Sequence, residues 1–365
     1  MRAMKSVAGV LAVWVAAAWL LAAQQTLSVP AQFATIQSAI NASLNGDTII
    51  VDPGTYFGLI NFSGRNITLR SQAGAASTIL DGAYQGSVVT IASGEGSGAV
   101  LDGFTVQHGI GTLIFLGAEG GGIRIANSSP IIQNCVITNN QATAPGFVQN
   151  QASGGGIYVL QGNGTIIKDC QFLINIANRG GGVFTQFSDV LIERCLFQYN
   201  ATVNGSGGGG ICMAGGMPIA RECVVRDNSG VNQSNGGGIT ISGAGTISNC
   251  IIANNAAVFG GGVYLQGSAN TPAATITNCT IIGNVAIDGT SFAGGGIHGA
   301  QAVNIRNTIV RGCFPNDLSI VPQASVSHSN IGTSWPGTAN INVDPRFVSA
   351  AIFDFRLDAG SPCID

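Results

Sequence analysis

Charge is what this chain has least of. Lys and Arg number 14 and Asp and Glu 17, so charged residues make up 8% of its 365 positions, against about 25% in ordinary soluble domains. So few cations, scattered along the chain, exclude the basic stripe that marks a nucleic-acid binder. The three histidines, His108, His298 and His328, stand far apart and at no metal-ligand spacing. After Leu21 no apolar run approaches the ~18 residues that would read as a bilayer span. Ser-His-Asp order, a phosphate-binding loop and paired zinc cysteines are also missing.

The one long apolar stretch lies at the start. Arg2 and Lys5 precede the run Val7 to Leu21, and Ala22-Ala23 precede Gln24-Gln25. A basic segment, an apolar run and small residues are the parts of a secretory signal peptide, so residues 1–23 are expected to be removed. The mature chain, with Arg2 and Lys5 gone, carries a net charge of −5. It is expected outside the cell, secreted or at the surface, as a monomer without a transmembrane segment or a nucleic-acid partner.

Glycine is abundant, at 54 residues, and it is ordered. Three glycines and a β-branched residue recur at 120–123, 154–157, 180–183, 208–211, 236–239, 260–263 and 294–297, at similar but unequal intervals. A cysteine follows each run but the last: Cys135, Cys170, Cys195, Cys223, Cys250 and Cys279. Five positions after each cysteine stands an asparagine: Asn140, Asn175, Asn200, Asn228, Asn255 and Asn284. Between them Ile137, Phe172, Phe197, Val225, Ile252 and Ile281 lie two positions after the cysteine, hence on the same side of a strand. After the last glycine run Thr308, Val310 and Cys313 take these three places, and the pattern fades. Glycine triplets beside β-branched residues oppose helix at every copy. A fixed β segment with variable length mainly between the asparagine and the next glycines describes one coil of a β-solenoid.

The fold expected is all-β: a right-handed parallel β-helix of about ten coils over residues 24–343, with a C-terminal cap over 344–365. Thr35 to Leu44 has the spacing of a short amphipathic helix that closes the first coil, and strands are expected at 48–51 and 66–69. The asparagines should form a ladder of side-chain amides. The cysteines should stack inside as free thiols, because in-register parallel strands point their Cβ atoms the same way.

Certain segments carry a likeness to known proteins. Thr35-Ile36-Gln37-Ser38-Ala39-Ile40, with Gly46-Asp47-Thr48 and Pro53-Gly54-Thr55-Tyr56, resembles the opening of bacterial secreted right-handed β-helix proteins of the pectin-lyase-like superfamily. The Gly-Gly-Gly-Ile and Phe-x-x-Asn elements resemble the repeats of polymorphic outer-membrane proteins, and Gly360 to Asp365 resembles a segment near the end of such bacterial chains. The resemblance implies the β-helix fold. For function it implies only a range, because that fold hosts lyases, hydrolases, esterases and adhesins. Polygalacturonase-type Asp-Asp and Gly-His-Gly elements are not in the sequence.

Three sets of candidate residues follow. The position after each Gly-Gly-Gly-Ile should face outward, which makes a column of Arg124, Tyr158, Phe184, Cys212, Thr240, Tyr264 and His298. Its aromatics would serve as a platform for the sugar rings of an extended polysaccharide, or be covered by loops. Arg124 is the first candidate base for a calcium-dependent, pectate-lyase-like elimination, the alternative to plain binding. Asp81 and Asp102, separated by nearly one coil, could share a Ca²⁺ through carboxylate oxygens, or simply begin Asp-Gly turns. Lys168, Glu193 and Arg221, with Asp169, Arg194 and Glu222 beside them, alternate in sign from coil to coil, the order of a register-fixing ion ladder. A purely structural or adhesive surface protein is the third reading.

Overall fold

The computed structural model describes residues 24–364 apart from 115–116, 144–151, 206, 233, 269, 289–292 and 322–323. The expected signal peptide lies outside the described residues. Three long parallel sheets run the length of the molecule. Sheet A has 12 strands, from Thr26–Val29 to Ser325–Ser327, sheet B 11, from Gly54–Phe57 to Asn330–Ile331, and sheet C 10, from Ile60–Asn61 to Leu318–Ile320. A fourth, sheet D, holds six short strands from Gln141–Ala142 to Val285–Ala286. One coil visits C, A, B and D in turn, as in Ile123–Ala126, Ile131–Gln133, Val136–Thr138 and Gln141–Ala142. The molecule is thus a parallel β-helix, slightly longer than the ten coils expected.

The repeated residues do what the pattern requires. The six cysteines and the apolar position two places on are 2% exposed or less and belong to one continuous core. All of the cysteines are free thiols. Within the core Phe172 and Phe197 stack at 4.5 Å with their planes 3° apart. The asparagines form the ladder. Each amide nitrogen donates to the next asparagine's Oδ1, at 3.1, 2.9, 2.9, 3.0 and 3.0 Å from Asn140 to Asn284. Asn284 ends it on the Cys313 sulfur, where the pattern fades.

The glycines have a steric cause. A Cβ on Gly155 would stand 2.5 Å from Gly181 O and 2.6 Å from Ile176 O, and one on Gly156 2.5 Å from Gly182 O. The glycine strands pass too close to the neighbouring coil for any side chain. Gly120, Gly154, Gly180, Gly236 and Gly260 also have φ between +61° and +76°, a left-handed backbone that glycine adopts without cost.

The ends are closed differently. Helix Ile36–Ala42, capped by Thr35 and Ser38, buries Ile36, Ala39 and Ile40 on the first coil. Leu44, expected on that apolar face, lies beyond the helix and is half exposed. The strand expected at 66–69 begins two positions later, at Thr68. The C-terminal hairpin, Phe347–Ser349 against Asp354–Leu357, is not stacked on the last coil alone. It folds back along the side, where the Arg226 guanidinium lies 4.7 Å above the Phe353 ring.

Candidate functional site

The column after the glycines exists as expected. On sheet C, Arg124, Tyr158, Phe184, Cys212, Thr240, Tyr264, His298 and then Ser319 are direct neighbours on successive strands. It divides into a sealed half and an open half.

In the sealed half, Tyr158 and Phe184 stack at 5.6 Å and 9° but are only 4% and 0% exposed. The platform expected there is therefore not presented to solvent. Neighbouring segments cover it. Glu119, at the end of a hairpin, places Oε2 2.9 Å from Arg124 Nε. Arg179 lies across the Phe184 ring at 4.5 Å and also donates to Ser153 Oγ. Burial first, and then the Glu119 charge, push the Tyr158 phenol far up. Burial pushes the Cys212 thiol up to about 11. Thr240 Oγ1 is buried without a hydrogen-bond partner. Arg124, the candidate base for elimination, is engaged by the Glu119 carboxylate and little exposed. This half supports the wall.

The open half starts at Tyr264. Tyr264, His298, Gly267, Ala300, Ser319 and Ile320 line a groove of about 320 Å³. His298 lies between two aromatic rings, 5.0 Å and 22° from Phe259 and 6.0 Å and 10° from Tyr264. The Gly294 N–H donates to His298 Nδ1 at 3.2 Å, so in this tautomer the ring proton sits on Nε2. Partial burial lowers the His298 pKa, which keeps the ring neutral. The groove therefore offers flat uncharged rings and ring-borne donors, the surface that suits a neutral ring with polar edges.

The aspartates expected to share a cation are not brought together. Asp81 lies on sheet B between Phe57 and Gln107, whereas Asp102 lies on sheet A between Arg70 and Gln133. Their spacing falls short of a full coil, which brings Gln107, 26 residues on, beside Asp81. Asp102 accepts from Asn134 Nδ2 at 2.8 Å. Glu95 is 1% exposed and accepts from Gly64 N, Ser93 N and Ser128 Oγ. Among the described residues no three acids, histidines and cysteines gather as a metal site would need. The charge ladder forms in part: across coils Arg194 pairs with Asp169 at 2.7 Å and Arg221 pairs with Glu193, and Arg194 also pairs with Glu193 beside it at 2.7 Å, whereas among the described residues Lys168 and Glu222 join no salt bridge.

Asp81 has a partner that sequence reasoning missed. His108 Nδ1 lies 2.9 Å from Asp81 Oδ2. His108 is the position after Gln107, one coil plus one place from Asp81, and comparison of that spacing with the coil length would have found the pair.

With this geometry in view, known proteins place the chain. Residues 79–244 match a family model described as right handed beta helix region. The protein is accordingly a right-handed parallel β-helix. No curated protein is similar to it in sequence. Among solved structures, an alginate lyase from Paenibacillus sp. str. FPU-7 is 15% identical with a TM-score of 0.43, over 87% of this chain and 95% of that one. Pectate lyase Pel9A is 12% identical with a TM-score of 0.49, over 93% and 90%. A pectin methylesterase from carrot is 11% identical with a TM-score of 0.41, over 91% and 97%. Identities this low leave the chemistry of those proteins with them. No helix among the described residues is long and apolar enough to cross a membrane.

Proposed function

We propose that this is an exported β-helix protein that binds an extended polysaccharide, on a cell surface or in its surroundings, through the open half of sheet C. The observation that carries the reading is the His298 ring, neutral and stacked between Phe259 and Tyr264, on the floor of an open groove. The groove crosses the last three strands of sheet C, which gives room for a short stretch of a chain-like ligand. The leader expected at residues 1–23 supports a place outside the cell. Elimination chemistry is the weaker alternative, because Arg124 is tied to Glu119.

Affinity electrophoresis of the mature chain in gels cast with neutral and acidic polysaccharides tests this. Tyr264→Ala and His298→Ala should each weaken retardation by about tenfold, equivalent to about 1.4 kcal/mol, with far-UV circular dichroism unchanged. Retardation by a polysaccharide that neither substitution alters would refute the groove, and no retardation by any of them would refute the reading.

A further inference from the structure

The Asp81–His108 pair lies on another face from the groove. Its arrangement is that of a positioned base. Asp81 is 8% exposed in its side chain, His108 32%. The carboxylate is fixed from three directions: Gln107 Nε2 donates to Oδ2 at 2.9 Å, Ala83 N donates to Oδ1 at 2.9 Å, and His108 Nδ1 meets Oδ2. Burial alone would raise the Asp81 carboxyl, but these hydrogen bonds outweigh it and hold it below the ordinary range, so it is ionised at neutral pH. An ionised carboxylate accepts only, so Nδ1 must be the donor. The lone pair of the neutral ring then sits on Nε2. The Tyr84 ring stacks on the imidazole at 5.0 Å and 28°, and Tyr84 N donates to His108 O. Asp81 is the charged group in contact with the ring and Tyr84 the other titratable one.

The left-handed backbone of His108, φ 57°, is the turn that also precedes the ladder asparagines, at Asn139, Ile174, Tyr199, Asp227 and Asn254, and so belongs to the repeat. What sets the pair apart from a chance contact is its setting. The surroundings are apolar and exposed. Phe57, 76% exposed, is the neighbour of Asp81 on sheet B; Leu59 and Tyr84 are 44% and 59% exposed. Phe57 and Leu59 also line a cavity of about 230 Å³ with Ile36, Tyr56 and Ile60.

We propose that His108, oriented by Asp81, is a general base for hydrolysis of esters with an apolar acyl group, which Phe57, Leu59 and Tyr84 receive. In that step Nε2 takes a proton from water, and the water oxygen attacks the ester carbonyl. The acyl C–O bond then breaks, the departing alkoxide takes the proton back from Nε2, and a carboxylic acid and an alcohol leave. Asp81 stays ionised throughout and acts as a positioning residue for the imidazolium that forms in passing.

The probe is p-nitrophenyl butyrate with the whole mature chain. The rate should exceed that of imidazole at equal concentration by at least about 100-fold, the lower end of what positioned acid–base catalysis contributes. It should slow in heavy water, fall to the imidazole level or below in His108→Gln, and remain in His328→Gln. Asp81→Asn should lower kcat at least tenfold with KM unchanged. A wild-type rate no faster than imidazole's, or a His108→Gln variant as fast as wild type, overturns the proposal. An unchanged kcat in Asp81→Asn overturns the role of Asp81. Diethyl pyrocarbonate supplies a check on the unaltered chain: His108 should be acylated at Nε2, and a His108 left untouched when the exposed His328 reacts would show that the lone pair is not presented.

Discussion

Removing one rung from the asparagine ladder tests the account of the fold most directly, and Asn200→Ala is the sharpest choice. Asn200 is fully buried in mid-stack. Its Oδ1 accepts from Asn175 N at 3.1 Å and Asn175 Nδ2 at 2.9 Å. Its Nδ2 donates to Phe172 O at 2.8 Å and Asn228 Oδ1 at 2.9 Å. Alanine keeps the backbone donation to Asn228 Oδ1 but leaves the buried Asn175 N–H with no acceptor, and it breaks two amide–amide links. A buried donor left unpaired costs about 1–3 kcal/mol and each lost hydrogen bond about 0.5–1.5, so the substitution should destabilise by about 2–6 kcal/mol. The readout is urea unfolding followed by circular dichroism, with hydrogen exchange at the Asn175 amide alongside. Because each coil of a solenoid touches only its neighbours, the loss should be local and can split the transition, and exchange locates it. A midpoint shift worth less than about 0.5 kcal/mol, with Asn175 still protected, would refute the reasoning that the amides hold this turn.

Two other outcomes follow. Ile174 is β-branched, half exposed and left-handed at φ 57°; Ile174→Gly relieves a strain of about 1–2 kcal/mol and should raise the melting temperature, and a fall would contradict the strain assigned to it. The core thiols should not react with a disulfide reagent in the native state, whereas the partly exposed Cys363 should react at once. Burial, joined by hydrogen bonds between neighbouring thiols, pushes Cys170 well above its usual range, which removes the reactive thiolate. Rapid labelling of more than Cys363 before unfolding would mean that the core opens.

The coil could be read from the sequence because its constraints are local and repeat. Cysteine, apolar residue and asparagine occupy fixed offsets in a segment of constant length, and the structure puts all three columns inside, as their chemistry requires. The register of the outward column was equally legible, since Ile123 and its equivalents fix which side Arg124, Tyr158 and Phe184 face. Exposure was not legible. Whether an outward aromatic meets water depends on segments that leave the repeat, such as the hairpin that brings Glu119 to Arg124, and those have no fixed offset. Asp81 and Asp102 failed for a related reason: similar Asp-Gly turns on two different sheets look like equivalent positions when the early coils are read without register. The fold-back of the C-terminal hairpin onto Arg226 depends on contacts between segments far apart in the chain, and no periodicity encodes it.

One column that sequence reading left aside explains where sheet C opens. The residue just before each glycine run is Glu119, Ser153, Arg179, Gly207, Asn235, Phe259 or Ala293, and the first three bridge one another on successive coils. Where it is long and charged it reaches over that column: Glu119 onto Arg124, Arg179 onto Phe184. A charge laid on buried rings must itself be partnered, so the sealed half becomes a network of ions and aromatics with little to offer a ligand. At Phe259 and Ala293 no such network forms. Phe259 stacks on His298 instead, and Ala293 cannot reach any ring, so Tyr264 and His298 line a groove. A small residue at this position does not open the column by itself, since Ser153 and Gly207 head the coils that hold the buried Tyr158 and Cys212; the closure comes with the charges of Glu119 and Arg179 that reach across it.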